Sequence, residues 1–252
     1  MSAFVLVHGA WHGAWCWQAV ADLLRTQGHQ VFTPTLAGLG ERFHLLSFEI
    51  TLETHIADIV DVFTTERLDG VVLCAHSYGG WPTSGALEHI HRQVGALVFL
   101  DAHLPQDGQR GYDTSNHPEK IDEALALRQP GTDHPHASEF VSAENSAWVN
   151  ELLTKQPVGV ALQPIRLTGC REAIKKRLYI RTTKYISDRF NQCRDDARGT
   201  GWQVLETPST HDMMIDEPEL LANILTTLTA PPFADDFSRT RTVLRQLAHP
   251  RK

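Results

Sequence analysis

The stretch VVLCAHSYGG, residues 71–80, sets Ser77 directly after an apolar run and ahead of a helical segment, with Gly79 two positions on. A strand, tight turn and helix of this kind, the G-x-S-x-G elbow, present a serine hydroxyl at the top of a sheet. Ala75 stands where the pattern has its first glycine, a position that mainly needs a small side chain. The plain alternative is a serine that caps a helix; the flanking strand and helix favour a nucleophile. A serine hydroxyl is nearly inert at neutral pH unless a base takes its proton during attack, so a histidine must come from elsewhere in the fold. Of fourteen histidines, His211 has the right setting: it follows the strand WQVLE and the loop TPST and precedes the last helix. That places it at the C-terminal edge of a parallel sheet, where Ser77 also emerges. The oxyanion of acyl transfer needs two fixed N–H donors. Tyr78, next after the serine, supplies one, and Ala10 in VHGAWHGAW, the loop after the first strand, is placed to supply the other.

The elements that must position these residues follow an alternating pattern. Apolar runs bounded by turn residues alternate with segments of helical period, the signature of parallel strands joined by crossover helices. The predicted strands are AFVLV at 3–7, QVFTPTL, VVLCA from Val71, ALVFL at 96–100, RLYIRT at 177–182 and WQVLE. Trp17, Val20, Leu23 and Leu24 recur at helical spacing up to a stop at Gly28. Thr51 caps a helix with the stripe Leu52, Ile56, Ile59, Val60 and Phe63. Further helices are expected at residues 80–90 and near Asp188 to Arg198. Asp216 with Glu219 resembles a capping box for a last helix striped by Leu220, Leu221, Ile224, Leu225 and Leu228. Residues 103–170 break the alternation with prolines at 105, 118, 130, 135, 157 and 164 and short helical patterns such as Ile121 to Leu127. Such an insertion reads as a lid. The expected organisation is a core of residues 1–102 and 171–230, a lid of residues 103–170 and a tail of residues 231–252.

Length and charge narrow the function. A chain of 252 residues suits one α/β domain with an insertion. The net charge of −7 and the scattered basic residues, with only a mild cluster at Arg171, Lys175, Lys176 and Arg177, argue against nucleic acid as a partner. The start of the chain has no basic or long apolar leader and no segment reaches membrane-span length, so a cytoplasmic protein is expected. The four cysteines form no CxxC pair. His8 and His12 are four apart but sit in a glycine-rich turn rather than on a helix, so no metal site is expected. His134 and His136 are expected to face water.

The segments LVHGAWHGAWCW, AHSYGG and His211 to Met213 resemble the α/β-hydrolase superfamily, and within it the branch of plant methylesterases, hydroxynitrile lyases and small bacterial esterases. The resemblance extends over most of residues 3–228, sharp in the first loop and elbow and vague in the lid. It implies an α/β-hydrolase fold, a mostly parallel doubly wound sheet with a helical lid, and a serine, histidine and acid triad. It also implies no cofactor and a small hydrophobic ester or related acyl substrate. The acid departs from the branch. In much of it an Asp follows the strand corresponding to RLYIRT, where this chain has Thr183, Lys184 and Tyr185. Asp188 is near but looks like part of the next helix's cap. Asp101, at the end of ALVFL, should reach the same sheet edge as Ser77 and His211, and some α/β-hydrolases take their acid from that strand end. Asp101 is preferred, Asp188 is the alternative, and a plain strand-end polar residue stays open.

The reading is a serine hydrolase in which Ser77 attacks a carboxylic ester, or a carbamate or amide. Trp11, His12, Trp15, Trp148 and Met213 are candidate walls of an apolar pocket, although core or lid packing explains them equally. A hydroxynitrile lyase is disfavoured, because the lyases of the branch carry a threonine and a lysine where this chain has Gly9 and Asp212. A non-catalytic receptor on the same fold, and a second copy of the chain as partner, stay open.

Overall fold

The computed structural model describes residues 1–229. The expected tail of residues 231–252, and residue 230, lie outside the described residues. Six parallel strands form the central sheet: β1 (Ala3–Val7), β2 (Gln30–Phe32), β3 (Val71–His76), β4 (Val94–Leu100), β7 (Arg177–Thr182) and β8 (Gln203–Thr207), in the order β2-β1-β3-β4-β7-β8. The helices are α1 (Gln18–Thr26), α2 (Leu52–Thr65), α3 (Gly80–Ile90), α7 (Asp188–Gly199), α8 (Met213–Asp216) and α9 (Pro218–Thr227).

Alternation along each strand explains the layers. Val5, Val7, Leu73, Ala75, Leu97, Phe99 and Tyr179 point to one face and bury the stripes of α2, α3 and α7; Phe4, Leu6, Val72, Cys74, Val98, Leu178 and Ile180 point to the other and bury those of α1 and α9. Strands covered on both faces carry near-continuous apolar runs, which is why these segments read so clearly. Strand order reverses between β1 and β3, and the crevice beyond their C-terminal ends is where an open α/β sheet binds ligands. Among the described residues, no helix is long and apolar enough to cross a membrane.

Two local expectations are corrected. Within QVFTPTL only Gln30–Phe32 pairs with the sheet, because Pro34 follows and cannot donate to a ladder. The chain instead turns to brace the first loop: Thr35 Oγ1 accepts the Ala14 N–H at 2.8 Å and the Leu36 N–H donates to His8 Nε2 at 3.0 Å. Asp216 does not cap α9, whose N-cap is Glu217; its carboxylate accepts hydrogen bonds from Ser142 N at 2.7 Å and from Asn145 Nδ2 at 2.7 Å.

Between β4 and β7 the chain leaves the sheet. It forms α4 (Pro118–Ala126), a small antiparallel pair of β5 (Gly131–Thr132) and β6 (Gln156–Pro157), α5 (Ala143–Leu152) and α6 (Gly159–Leu162). Ser142 is the N-cap of α5, so the Asp216 carboxylate holds that helix's start against the sheet domain.

Candidate active site

Ser77 is the first residue after β3 and has φ +50°, a left-handed backbone that takes its side chain out of the strand's alternation. The turn is tight enough that a Cβ on Gly79 would lie 2.7 Å from the His8 carbonyl oxygen, so glycine is required there. Ala75 packs fully buried among apolar neighbours, consistent with its tolerance at the elbow's first position. Asp101 repeats the device on the neighbouring strand. It is the first residue after β4, has φ +42°, and its N–H donates to the Ile180 carbonyl at 2.7 Å.

His211 joins the two. Its Nε2 is 3.0 Å from Ser77 Oγ and its Nδ1 is 3.0 Å from Asp101 Oδ2. With Asp101 accepting the Nδ1–H, Nε2 carries the lone pair that faces the serine hydroxyl, the tautomer a general base needs. Tyr185 and Phe190 stack on the imidazole with ring centroids 4.4 and 5.1 Å away. Asp188, the alternative acid, is exposed at the start of α7; Ser187 Oγ accepts the Phe190 N–H there as the N-cap. Asp101 is the carboxylate beside His211.

The last two residues of β7 brace the Asp101 carboxylate. Arg181 Nη1 donates to Asp101 Oδ1 at 3.0 Å, the Thr182 N–H donates to the same oxygen at 3.2 Å, and the Thr182 hydroxyl donates to Oδ2. Arg181 and Asp101 are both buried. The remaining guanidinium donors go to Asn191 Oδ1 and to the carbonyls of Thr182, Tyr185 and Ser187. Sequence reasoning missed Arg181, although a charged residue inside the apolar run RLYIRT carried a signal: a buried arginine needs a buried anion.

A cavity of about 250 Å³ opens over Ser77 and His211. Ala10 and Tyr78 line it beside them. The Tyr78 hydroxyl is turned to His55 Nδ1 at 2.9 Å. Trp11 and His12 line the cavity, together with Phe140, Val158 and Val160 from the segment between β4 and β7. Arg189 and His103 also line it. Burial and the nearby Arg189 charge lower the His103 pKa to about 3.

The other three predicted wall residues lie elsewhere. Met213 is fully buried in the core between the sheet and α9. Trp15 packs under the insertion, stacked on His12 at 5.1 Å, and Trp148 is exposed with its ring edge-on to Trp15 at 5.6 Å. Their sequence proximity to the cavity residues misled, because successive residues in a turn or short helix face different directions. His134 is half-buried and His136 exposed. His8 is no metal ligand in waiting: its Nδ1 engages the Gly9 carbonyl at 2.8 Å and its Nε2 accepts the Leu36 N–H. His76, His211 and Asp212 bring three ligand-type atoms within 4.8 Å of one another, but both His211 nitrogens are already committed to Ser77 and Asp101.

The comparisons with known proteins agree with this architecture. An esterase from a Nocardioides species that hydrolyses carbendazim is 36% identical over 244 residues, covering 90% of this chain and all of that protein. Methyl jasmonate esterase 1 of Vitis vinifera is 39% identical over 104 residues, 40% of each chain. Among solved structures, an extracellular alpha/beta-hydrolase from a Paenibacillus species superposes with a TM-score of 0.78 at 23% identity, over 91% of this chain and 99% of that one. The model of the alpha/beta hydrolase family matches residues 4–224. This chain therefore belongs to the alpha/beta hydrolase family.

Proposed function

We propose that the protein is a serine esterase that cleaves a small, largely hydrophobic carboxylic ester or carbamate through an acyl-enzyme. The observation that carries the reading is the unbroken line from Asp101 Oδ2 through both His211 nitrogens to Ser77 Oγ, with 3.0 Å at each link. Ser77 attacks the carbonyl carbon as His211 Nε2 takes its proton. Asp101 holds the ring and stabilises the imidazolium that forms. The Ala10 and Tyr78 N–H groups receive the tetrahedral oxyanion. The leaving alcohol departs with the proton from Nε2, and water then releases the acyl group by the same route in reverse.

The relative named for carbendazim hydrolysis supports ester or carbamate cleavage over other chemistries of the fold. A cavity of about 250 Å³ with tryptophan, phenylalanine and valine walls suits a small apolar substrate. Arg189 and His103 are among the polar groups of that wall, and the Arg189 guanidinium suits a hydrogen-bond acceptor on the substrate. Residues 103–170 serve as the lid that excludes water and sets substrate choice. The four cysteines are free, which suits a cytoplasmic enzyme.

A cyanohydrin-cleaving variant of this site is disfavoured on steric grounds. A Cβ on Gly9 would lie 3.0 Å from Ser77 Cβ and 2.8 Å from His76 Nδ1, so the threonine used by the lyases has no room. Treatment with a fluorophosphonate should label Ser77, and p-nitrophenyl acetate should give a burst of nitrophenol; both should vanish in Ser77→Ala. Full esterase activity in that variant would end the proposal.

A further inference from the structure

A second histidine–carboxylate pair lies beside the first and takes no part in the proton path just described. His12 Nε2 is 2.9 Å from Asp212 Oδ2, and its Nδ1 is 2.6 Å from the Ala10 carbonyl oxygen. Both residues are buried. A peptide carbonyl has no proton to give, so Nδ1 must be N–H. The proton between Nε2 and the carboxylate belongs to the histidine, since imidazolium is the weaker acid by about two to three pH units. Both ring nitrogens then carry hydrogen, and the ring is a cation.

Asp212 is also turned toward β3. Its Oδ1 lies 3.5 Å from His76 Nε2, whose N–H donates to the His211 carbonyl at 3.2 Å. One small cluster thus ties together three loops: the one after β1 that holds Ala10, the elbow after β3 that holds Ser77, and the one after β8 that holds His211. Asp212 presents no free anion to the base beside it, because His12 neutralises it.

We propose that His12 works as a buried imidazolium, charge-paired with Asp212, and is the positioning residue that fixes the Ala10 oxyanion loop in register with the His211 loop. Its consequence for rate rests on the serine-hydrolase reading; its protonation does not.

The surroundings fit a cation. Trp15 stacks its face on the ring with centroids 5.1 Å apart, and Phe140 and His76 pack against it in T-shaped geometry at 5.7 and 6.2 Å. The titratable groups around the pair include His8 on its own loop, His76 from β3, Cys16 from the following turn, His211 next to Asp212, and Tyr185, which burial and the nearby carboxylates push up and so keep neutral. Burial lowers His8 to about 3 and His76 well below the ordinary histidine range, so both are neutral. Burial and the Asp212 charge push the Cys16 thiol up, so it too is neutral. Burial by itself would lower His12, but the Asp212 carboxylate and the Ala10 carbonyl raise it above its ordinary value. A raised value means that the charge pair is intact below the ordinary histidine range and is lost as pH climbs through the folded-state value. The oxyanion loop then loses its anchor on the alkaline side.

Two measurements on the full chain test this. In ¹⁵N-histidine NMR of the wild type at neutral pH, both nitrogens of His12, assigned by the resonances lost in His12→Gln, should show imidazolium shifts. A neutral, pyridine-like nitrogen there overturns the proposal, whatever the protein hydrolyses. The rate of Ser77 labelling by a fluorophosphonate, followed against pH, should fall on the alkaline side in the wild type. His12→Gln, which still donates but does not titrate, should lose that limb. Asp212→Asn should move the limb to lower pH and slow labelling about tenfold at neutral pH, less than the loss of about 10²–10³ for removing an oxyanion donor outright. An alkaline limb unchanged in both variants overturns the positioning role. A wild type that never reacts with the probe defeats the esterase reading instead, and the NMR result still decides the charge on His12. Should a variant fail to fold, the wild-type spectrum decides, with assignment through ring contacts to Trp15.

Discussion

Ser77 and Asp101 reach His211 by the same backbone device. Each is the first residue past its strand, and each sits at positive φ, at a cost of about 1–3 kcal/mol per residue that the surrounding sheet sustains. The strain is what carries two side chains out of the pleat and toward one imidazole. Asp101→Asn keeps the shape but offers an N–H donor to a ring nitrogen that must itself donate. By analogy with other serine triads, kcat should fall about 10⁴-fold with little change in KM, read with p-nitrophenyl esters. Gly9→Thr tests the packing around Ser77. The added Cβ must push against Ser77, and a displacement of about 1 Å should cost about 10²-fold in kcat without creating cyanide release from a cyanohydrin.

At the scale of elements, the site is a set of ties between loops that the sheet alone would leave independent. Arg181 links the end of β7 to the end of β4 through Asp101. Arg181→Met leaves a buried carboxylate without its counter-charge, so stability in urea should drop by about 3–5 kcal/mol, as it does when one partner of a buried pair is removed. The segment between β4 and β7 is tied down at several points, among them the Asp212 N–H, which donates to the Phe140 carbonyl at 3.1 Å. The Thr154 N–H donates to the Trp11 carbonyl at 2.9 Å and the Trp11 N–H to Gln156 Oε1 at 3.0 Å, and these bonds brace the loop after β1 from above. Asp216 fastens the start of α5. Burial raises the Asp216 pKa, yet hydrogen bonds from Thr210, Asn145 and Ser142 outweigh it and hold the carboxyl below its ordinary value. That tie is therefore present above the unfolded-state pKa and lost as pH falls through the folded value. Asp216→Asn should speed limited proteolysis within residues 103–170 at neutral pH, while α7 and β8 keep their hydrogen-exchange protection.

For the whole molecule, buried histidines set the pH range of stability. Burial lowers His8 and His103 to about 3 and His55 to about 4, and it lowers His76 well below the ordinary range. The unfolded chain takes up protons at these positions below about pH 6.5, while the native state excludes them. Each such histidine therefore removes about 1.4 kcal/mol of stability per pH unit on acidification. His12 acts in the opposite sense, and its contribution fades on the alkaline side. Stability measured by urea denaturation should fall steeply from pH 6.5 toward pH 4, and His55→Asn, which keeps hydrogen-bonding capacity without a charge change, should flatten that slope.

Much of this was legible along the chain because burial on both faces of a parallel sheet leaves a one-dimensional trace. β1, α3 and β7 fall where apolar runs and helical periods place them, and Ser77 and His211 stand at strand ends that the topology must bring to one edge. Residue type and local order fixed the turn at Ser77 and the order of the elements. Only the folded chain decided which carboxylate meets Nδ1, since Asp101 and Asp188 both lie near strand ends and differ in how the backbone turns after them. The same holds for Trp15, Trp148 and Met213, whose apolar character called for burial or contact without saying against what. Apolar patterning specifies which side chains leave water, a property of each residue and its near neighbours. The partnerships of Arg181 with Asp101 and of His12 with Asp212 join positions 80 and 200 residues apart, and such directional, distance-dependent contacts exist only once the sheet has closed.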